Sequence, residues 1–161
     1  MTREEFKYIY DQYFDAIRRY LYFRSGNEEL ASDIAQEAFI KIWEKQFDYE
    51  NKKIKSLLYK ISGDMFISHI RKEKVASEYL KEIKFSFNED NTGDSLEYNE
   101  LKQTYEKALA KLNEKQRTVF LMSRIEELKY KEIAERLDIS VKAVEKRMSI
   151  ALAELKIAMK A

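Results

Sequence analysis

The run Tyr130-Lys-Glu-Ile-Ala-Glu-Arg-Leu-Asp-Ile-Ser-Val-Lys-Ala-Val-Glu-Lys-Arg-Met148 decides how the chain folds. Ile133, Ala134 and Leu137 recur at helical steps and give a first helix its inward face. Ala134 stands where a second helix must cross, and a small side chain there lets two backbones approach closely. Asp138 takes the corner, which wants a left-handed backbone that Asp tolerates better than most residues. Ile139 plugs that corner and Ser140 caps the next helix, along which Val144, Met148, Leu152 and Leu155 continue the apolar stripe. Small residue, turn, plug and cap in register make a helix-turn-helix.

The outer side of the second helix then begins with Lys142, Ala143, Glu145, Lys146 and Arg147. Recognition helices present their N-terminal residues to base edges in the major groove. There Arg or Lys pairs with guanine, Glu accepts from cytosine, and Ala touches a thymine methyl. Lys129 and Lys131, at the start of the preceding helix, suit phosphate. These seven are the expected contacts to duplex DNA. The alternative is a helical hairpin that packs and binds nothing.

Working outward, the rest of the chain is also biased towards helix. Its 161 residues include no proline and three glycines, the residues that break or weaken helix interiors, and 37% are charged. An all-α protein is expected. With no cysteine, disulfides and thiolate metal sites are excluded. The N-terminus lacks the apolar core of a signal peptide, and no run of about 18 apolar residues occurs. The expectation is a soluble cytoplasmic protein without membrane insertion.

Phe6, Ile9, Tyr10, Tyr13, Phe14, Ile17 and Leu21 mark an amphipathic helix over about 2–24. Ser25-Gly26-Asn27 supplies its stop and the next N-cap. A second helix over 28–46 buries Leu30, Ile34, Ala38, Ile42 and Trp43, and a third runs over 53–74. Residues 76–97 include the polar, aperiodic Asn88-Glu-Asp-Asn-Thr-Gly-Asp94 and read as a flexible linker. Two small helical domains follow, 1–75 and 98–161, joined by 76–97. The net charge of +1 conceals blocks of −4 over 1–51, +5 over 52–74, −4 over 75–97 and +4 over 98–161. Two basic blocks between acidic ones fit two sites that meet an anion; solvated helix faces produce the same pattern.

Within 33–43, Asp33, Gln36, Glu37, Ile40 and Lys41 form a mixed face beside the core stripe, either a protein-docking surface or an ordinary helix exterior. On the third helix Lys53, Lys60, Asp64 and Arg71 share one face, and Lys72 and Lys74 extend its basic end. With Phe47 and Tyr49 in the preceding loop, this helix suits single-stranded DNA, held by phosphate contact and base stacking. Phe47 and Tyr49 fit equally well as core residues anchoring the loop.

Asp33-Ile-Ala-Gln-Glu-Ala-Phe-Ile-Lys-Ile-Trp43 resembles the D-x-x-Q-E-x-F-x-x-x-W signature of region 2 in sigma-70 family factors. Leu58-Tyr-Lys-Ile61, leading to Ile70-Arg-Lys72, resembles the promoter-melting helix that follows it. Residues 100–157 resemble region 4. Two regions and a short linker are the layout of the extracytoplasmic-function (ECF) group.

The resemblance implies a non-catalytic specificity subunit that binds core RNA polymerase and directs promoter recognition, DNA melting and initiation. It implies that Asp33, Gln36, Glu37, Ile40 and Lys41 dock on the β′ clamp helices, and that region 4 sits on the β flap. The loop 46–52, with Phe47 and Tyr49, is implied to capture a flipped base of the −10 element. Lys60, Asp64, Arg71 and Lys72 are implied to contact that strand, and Lys142, Ala143, Lys146 and Arg147 to read the −35 element. An anti-sigma factor, often membrane-bound in this group, is an implied partner, expected to wedge between the domains.

Four departures bear on promoter choice. Asp64 stands where relatives often have Asn, Ala143 where Thr is frequent, and Glu127 and Lys129 where Gly and Ser are common before the helix pair. No catalytic residue, cofactor or metal is expected: His69 is the single histidine, and Asp33/Glu37 are helix neighbours flanking no recognisable pocket. The rival readings are a stand-alone regulator that binds duplex DNA as a dimer, and a homologue that binds polymerase without melting DNA.

Overall fold

Thr2 opens the first helix with a reciprocal cap. Its hydroxyl accepts from the Glu5 N–H at 3.1 Å, and the Glu5 carboxylate accepts from the Thr2 N–H at 3.0 Å. Helix α1 (Arg3–Ser25) ends at Gly26, whose φ of 65° is left-handed and whose N–H reaches the Tyr22 carbonyl at 2.8 Å. Asn27 at once caps α2 (Glu28–Lys45) by accepting from the Leu30 N–H. Then come α3 (Asn51–Ala76), α4 (Leu96–Lys111), α5 (Glu114–Arg124), α6 (Tyr130–Leu137) and α7 (Val141–Lys160). This computed structural model describes residues 1–46, 51–76, 84–87 and 95–160, with the side chains of 51, 52 and 74–76 outside the description. Among the described residues every regular element is a helix, so the fold is all-α.

Helices α1, α2 and α3 form the N-terminal bundle. Ile9, Ile17, Leu21 and Ile42 are fully buried there, each contributing about 1.5–3 kcal/mol by leaving water. Tyr10 is 37% exposed at the rim, although it belongs to the expected stripe. It stacks on Phe14 at 4.6 Å and meets Phe39 edge-on at 5.3 Å. Side chains of α1 press on Gly63 of α3, since a Cβ there would stand 3.0 Å from the Tyr20 hydroxyl and 3.2 Å from Arg24 Nη1. Both groups are pinned by each other, Arg24 donating to the Tyr20 oxygen at 2.9 Å. Gly63→Ala is therefore expected to lose about 1 kcal/mol net in a urea titration, overpacking exceeding the helix-propensity gain. Unchanged or higher stability would show that Tyr20 and Arg24 yield freely.

The C-terminal helices α4–α7 close around Leu109, Val119, Leu121, Ile133 and Val144, all buried. On α7 the buried line runs Val144, Met148, Ala151, Leu155. Leu152, expected within it, is 46% exposed. The reason is geometric: steps of four, three and four keep one line facing the neighbouring helices, and a residue one place on turns about 100° away.

The two sets of helices pack directly on each other, α1 against α5 and α3 against α6. The last turn of α1 is consequently buried on every side, at Tyr20, Leu21, Tyr22 and Phe23. Arg24 makes a two-pronged pair with Glu114 at 2.9 and 3.0 Å and lies over the Phe66 ring. Arg117, 1% exposed, donates to the carbonyls of Phe23 (2.8 Å) and Arg24 (2.6 Å) at the end of α1, and of Leu112 (2.9 Å) after α4. It thereby satisfies helix-end carbonyls that lack partners inside their own helices. Glu126 joins both sets, accepting from Arg19 at 3.3 Å and Arg136 at 3.5 Å. The Arg136 guanidinium also lies over the Tyr59 ring of α3.

Within the expected linker, residues 84–87 are tied down. Lys84 N–H donates to the Gly26 carbonyl, and Ser86 N–H to the Tyr22 hydroxyl at 2.9 Å. Phe85 is 3% exposed between the Tyr22 ring and the Arg117 guanidinium. An alternation of aromatic residues in a polar stretch, Phe85-Ser86-Phe87, was the available signal for this strap.

Candidate polymerase and nucleic-acid interface

The helix pair has the predicted corner. Asp138 is left-handed at φ 54°, ψ 50°, and Ile139 N–H returns to the Ala134 carbonyl at 3.0 Å. Ser140 Oγ accepts from the Ala143 N–H at 3.0 Å, capping α7. Ala134 is buried, and Ile139 packs partly buried against the core. This rigid corner leaves Lys142, Glu145 and Lys146 exposed on the first turns of α7, with Ala143 and Arg147 half-buried at their edge. Lys129 and Lys131 are exposed at the start of α6. All seven expected contacts thus lie on the first turns of α6 and α7 or just before them, five of them exposed.

The α6 N-terminus explains two of the departures. Glu127 holds φ 55°, a left-handed backbone suited to glycine. Lys129 provides no side-chain hydroxyl cap, yet its N–H still donates to the Glu132 carboxylate at 3.0 Å, so half of a capping box survives. Glu127→Gly with Lys129→Ser is expected to stabilise the chain by about 1 kcal/mol, by relieving the backbone and restoring the cap. An unchanged urea midpoint would show that neither site is strained.

On α3, Lys53, Lys60, Asp64, Arg71 and Lys72 are all exposed. On α2, Asp33, Gln36, Glu37 and Ile40 are exposed and Lys41 is half-buried; Ile40, 53% exposed, is a large apolar side chain left facing water. A groove of about 540 Å³ between α2 and α3 brings Asp33, Glu37 and Lys41 together with Asp64, His69 and Lys72. His69 Nε2 stands 3.1 Å from the Glu73 carboxylate, and among the described residues no cluster of three or more His, Asp or Glu could hold a metal ion. Lys60 and Asp64 also line a second groove of about 660 Å³, whose far wall is Glu135, Arg136, Leu137 and Asp138 of α6. Phe47 and Tyr49 lie outside the described residues.

The chain matches the family models described as Sigma-70 region 2, over residues 9–75, and Sigma-70 region 4, over 102–155. It is 33% identical over 159 residues to the ECF RNA polymerase sigma factor SigW of Bacillus subtilis, covering 91% of this chain and 84% of that one. The chain belongs to the sigma-70 family. It is an ECF-type sigma factor, a promoter-recognition subunit of RNA polymerase. It is also 28% identical to the sigma factor YlaC of the same organism, covering 96% of this chain and 91% of that one. Its fold matches the sigma factor RpoE of Bartonella quintana, solved in complex with the anti-sigma factor NepR, with a TM-score of 0.70, 22% identity and 98% of both chains covered.

Within this sigma factor, sequence reasoning missed the residues that join the two halves: Arg24, Phe85, Glu114, Arg117, Glu126 and Arg136. Nothing in helical periodicity separates a charged residue that snorkels to solvent from one that caps a helix from another part of the chain.

Proposed function

We propose that this sigma factor works as a non-catalytic subunit, using three sets of residues. Asp33, Gln36, Glu37, Ile40 and Lys41 dock on the β′ clamp helices of core polymerase, and the C-terminal domain sits on the β flap. Lys60, Asp64, Arg71 and Lys72, with Phe47 and Tyr49, hold the melted −10 strand. Lys142, Ala143, Glu145, Lys146 and Arg147 read the −35 duplex, with Lys129 and Lys131 on phosphates. The observation that supports this reading is the helix-turn-helix corner, in which Asp138 turns left-handed and Ser140 caps α7, leaving Lys142, Glu145 and Lys146 exposed on its first turns. The domain bounds are 1–75 and 98–161 with the connection 76–97.

Among the described residues no helix is long and apolar enough to cross a membrane, and the proposed place of action is the cytoplasm, beside the polymerase. An anti-sigma factor is the proposed regulator, supported by the fold shared with RpoE, which was solved with NepR. Because α1 and α5 are in direct contact, such a partner enters between the domains only after they part.

The test mixes the purified protein with bacterial core polymerase on a promoter pool and reads open complexes by permanganate footprinting. Opening of a defined promoter set that needs both components is expected. Tight, specific duplex binding without polymerase would overturn the reading in favour of a stand-alone regulator. Polymerase binding without opening would leave only the docking role.

A further inference from the structure

We propose that Asp64 reads base identity, its carboxylate selecting a guanine in the melted −10 strand by accepting from the N1–H and the N2 amino group together. The inference rests on the proposed sigma reading and deepens it. Its first support is the stripe in which Asp64 stands. Lys53, Leu57, Lys60, Asp64, Ile67 and Arg71 follow one another at alternating four- and three-residue steps, so they run along one face of α3. Leu57 is half-buried and the other five are exposed. The cations suit phosphates, and Leu57 and Ile67, the latter 40% exposed, give bases an apolar surface to lie on. At about 1.5 Å per residue, Lys60 and Arg71 stand about 16 Å apart along the helix, the span of roughly five stacked nucleotides. Asp64 lies within that span.

The second support is that the fold leaves this carboxylate unused. Between 52 and 74 the acidic residues are Asp64 and Glu73, and Glu73 stands 3.1 Å from His69 Nε2. Among the described residues no hydrogen bond or ion pair takes up Asp64, although it lines one groove with Lys53 and Lys60 and another with Lys41 and Lys72. A negative group on a face that receives phosphate weakens binding to every strand alike. Only a ligand that donates hydrogen bonds to it offsets that cost, and in a DNA strand the donors are on the bases.

The third support is the match between this acceptor and the bases. A carboxylate offers two oxygens and no donor, and it binds most strongly a partner that presents two hydrogens side by side. In a melted strand the pairing edge of each base is open to protein. Guanine carries N1–H and the N2 amino group next to each other on that edge. Adenine and cytosine each carry one amino group beside a ring-nitrogen acceptor, which repels the second carboxylate oxygen. Thymine has its single N3–H between two carbonyls. Guanine is therefore the base from which both oxygens of Asp64 accept at once. In a closed duplex the same edge is paired, so the contact forms only after melting and favours opening at a guanine.

The test uses the full chain assembled with core polymerase, on promoters selected from the pool and premelted over the −10 region by mismatches. Premelting removes any effect of base-pair strength. The promoters opened from the pool are expected to share a guanine at one position of the melted strand. Replacing it by hypoxanthine, which lacks only the N2 amino group, should weaken wild-type binding about tenfold. Asp64→Asn should bind the guanine and hypoxanthine templates within about twofold of each other. It should also hold a guanine-free single strand about twofold more tightly, since a charge facing phosphate is gone. A merely structural loss would instead lower binding to every template together. Asp64→Glu, which keeps the carboxylate, should still rank guanine above hypoxanthine. The absence of a shared guanine would overturn the assignment, as would an Asp64→Asn variant that keeps the wild-type ratio. If the wild-type assembly neither opens the pool nor binds premelted templates, the sigma reading itself falls and takes the guanine contact with it.

Discussion

Arg117→Ala is expected to lower the unfolding free energy by about 3 kcal/mol. The side chain is buried, and its guanidinium serves carbonyls from two helices and stacks 4.8 Å from the Phe85 ring centre. Burial pushes its pKa down to about 10 while Glu114 holds it up, so it stays charged at neutral pH. Hydrogen bonds from a charged donor are worth roughly 1.5–3 kcal/mol each. The measurement is a urea titration of Arg117→Ala against exposed Lys115→Ala, for which a change within about 0.5 kcal/mol is expected. A loss below 1 kcal/mol for Arg117→Ala would mean that the carbonyls find other partners.

The second large effect concerns promoter choice. Lys146→Ala with Arg147→Ala is expected to reduce opening of −35-dependent promoters by about 100-fold at limiting sigma concentration. A well-made contact of this kind is worth about 1–3 kcal/mol of base discrimination, or roughly 5–150-fold. Binding to core polymerase should change little, since neither residue is among the proposed docking residues of α2. Lys131→Ala, in contrast, should weaken all promoters alike and reduce the salt dependence of binding by about one unit of slope. Equal loss across promoters in the double variant would show that Lys146 and Arg147 touch phosphate alone. Ala143→Thr adds a hydroxyl at the same surface and should shift the preferred −35 sequence without abolishing recognition.

The helix-turn-helix was legible because every requirement is local. Asp138 must turn left-handed, Ser140 must cap, and Ala134 must be small, and each residue shows its fitness through its own chemistry. The starts and stops of α1 and α2 were legible for the same reason, Gly26 and Asn27 being punctuation that needs no distant partner. Errors appeared where burial depends on neighbours. Leu152 is as apolar as Leu155, yet Leu155 faces the bundle and Leu152 does not. Tyr10 fits the stripe of α1 by spacing and sits at its rim.

What the sequence alone determined is the all-α class, the boundaries of α1, α2 and α3 to within about two residues, the corner of the helix pair and the resemblance to regions 2 and 4. These follow from turn chemistry, periodicity and short motifs, all of which act over a few residues. That the two halves lie against each other is settled by tertiary packing alone. Arg117 ends α1 from 93 residues away, Glu114 receives Arg24 from 90, and Phe85 fills the space between Tyr22 and Arg117. A charged residue's partner is set by how whole helices are placed, and that placement arises from the summed packing of many side chains, which no local pattern encodes.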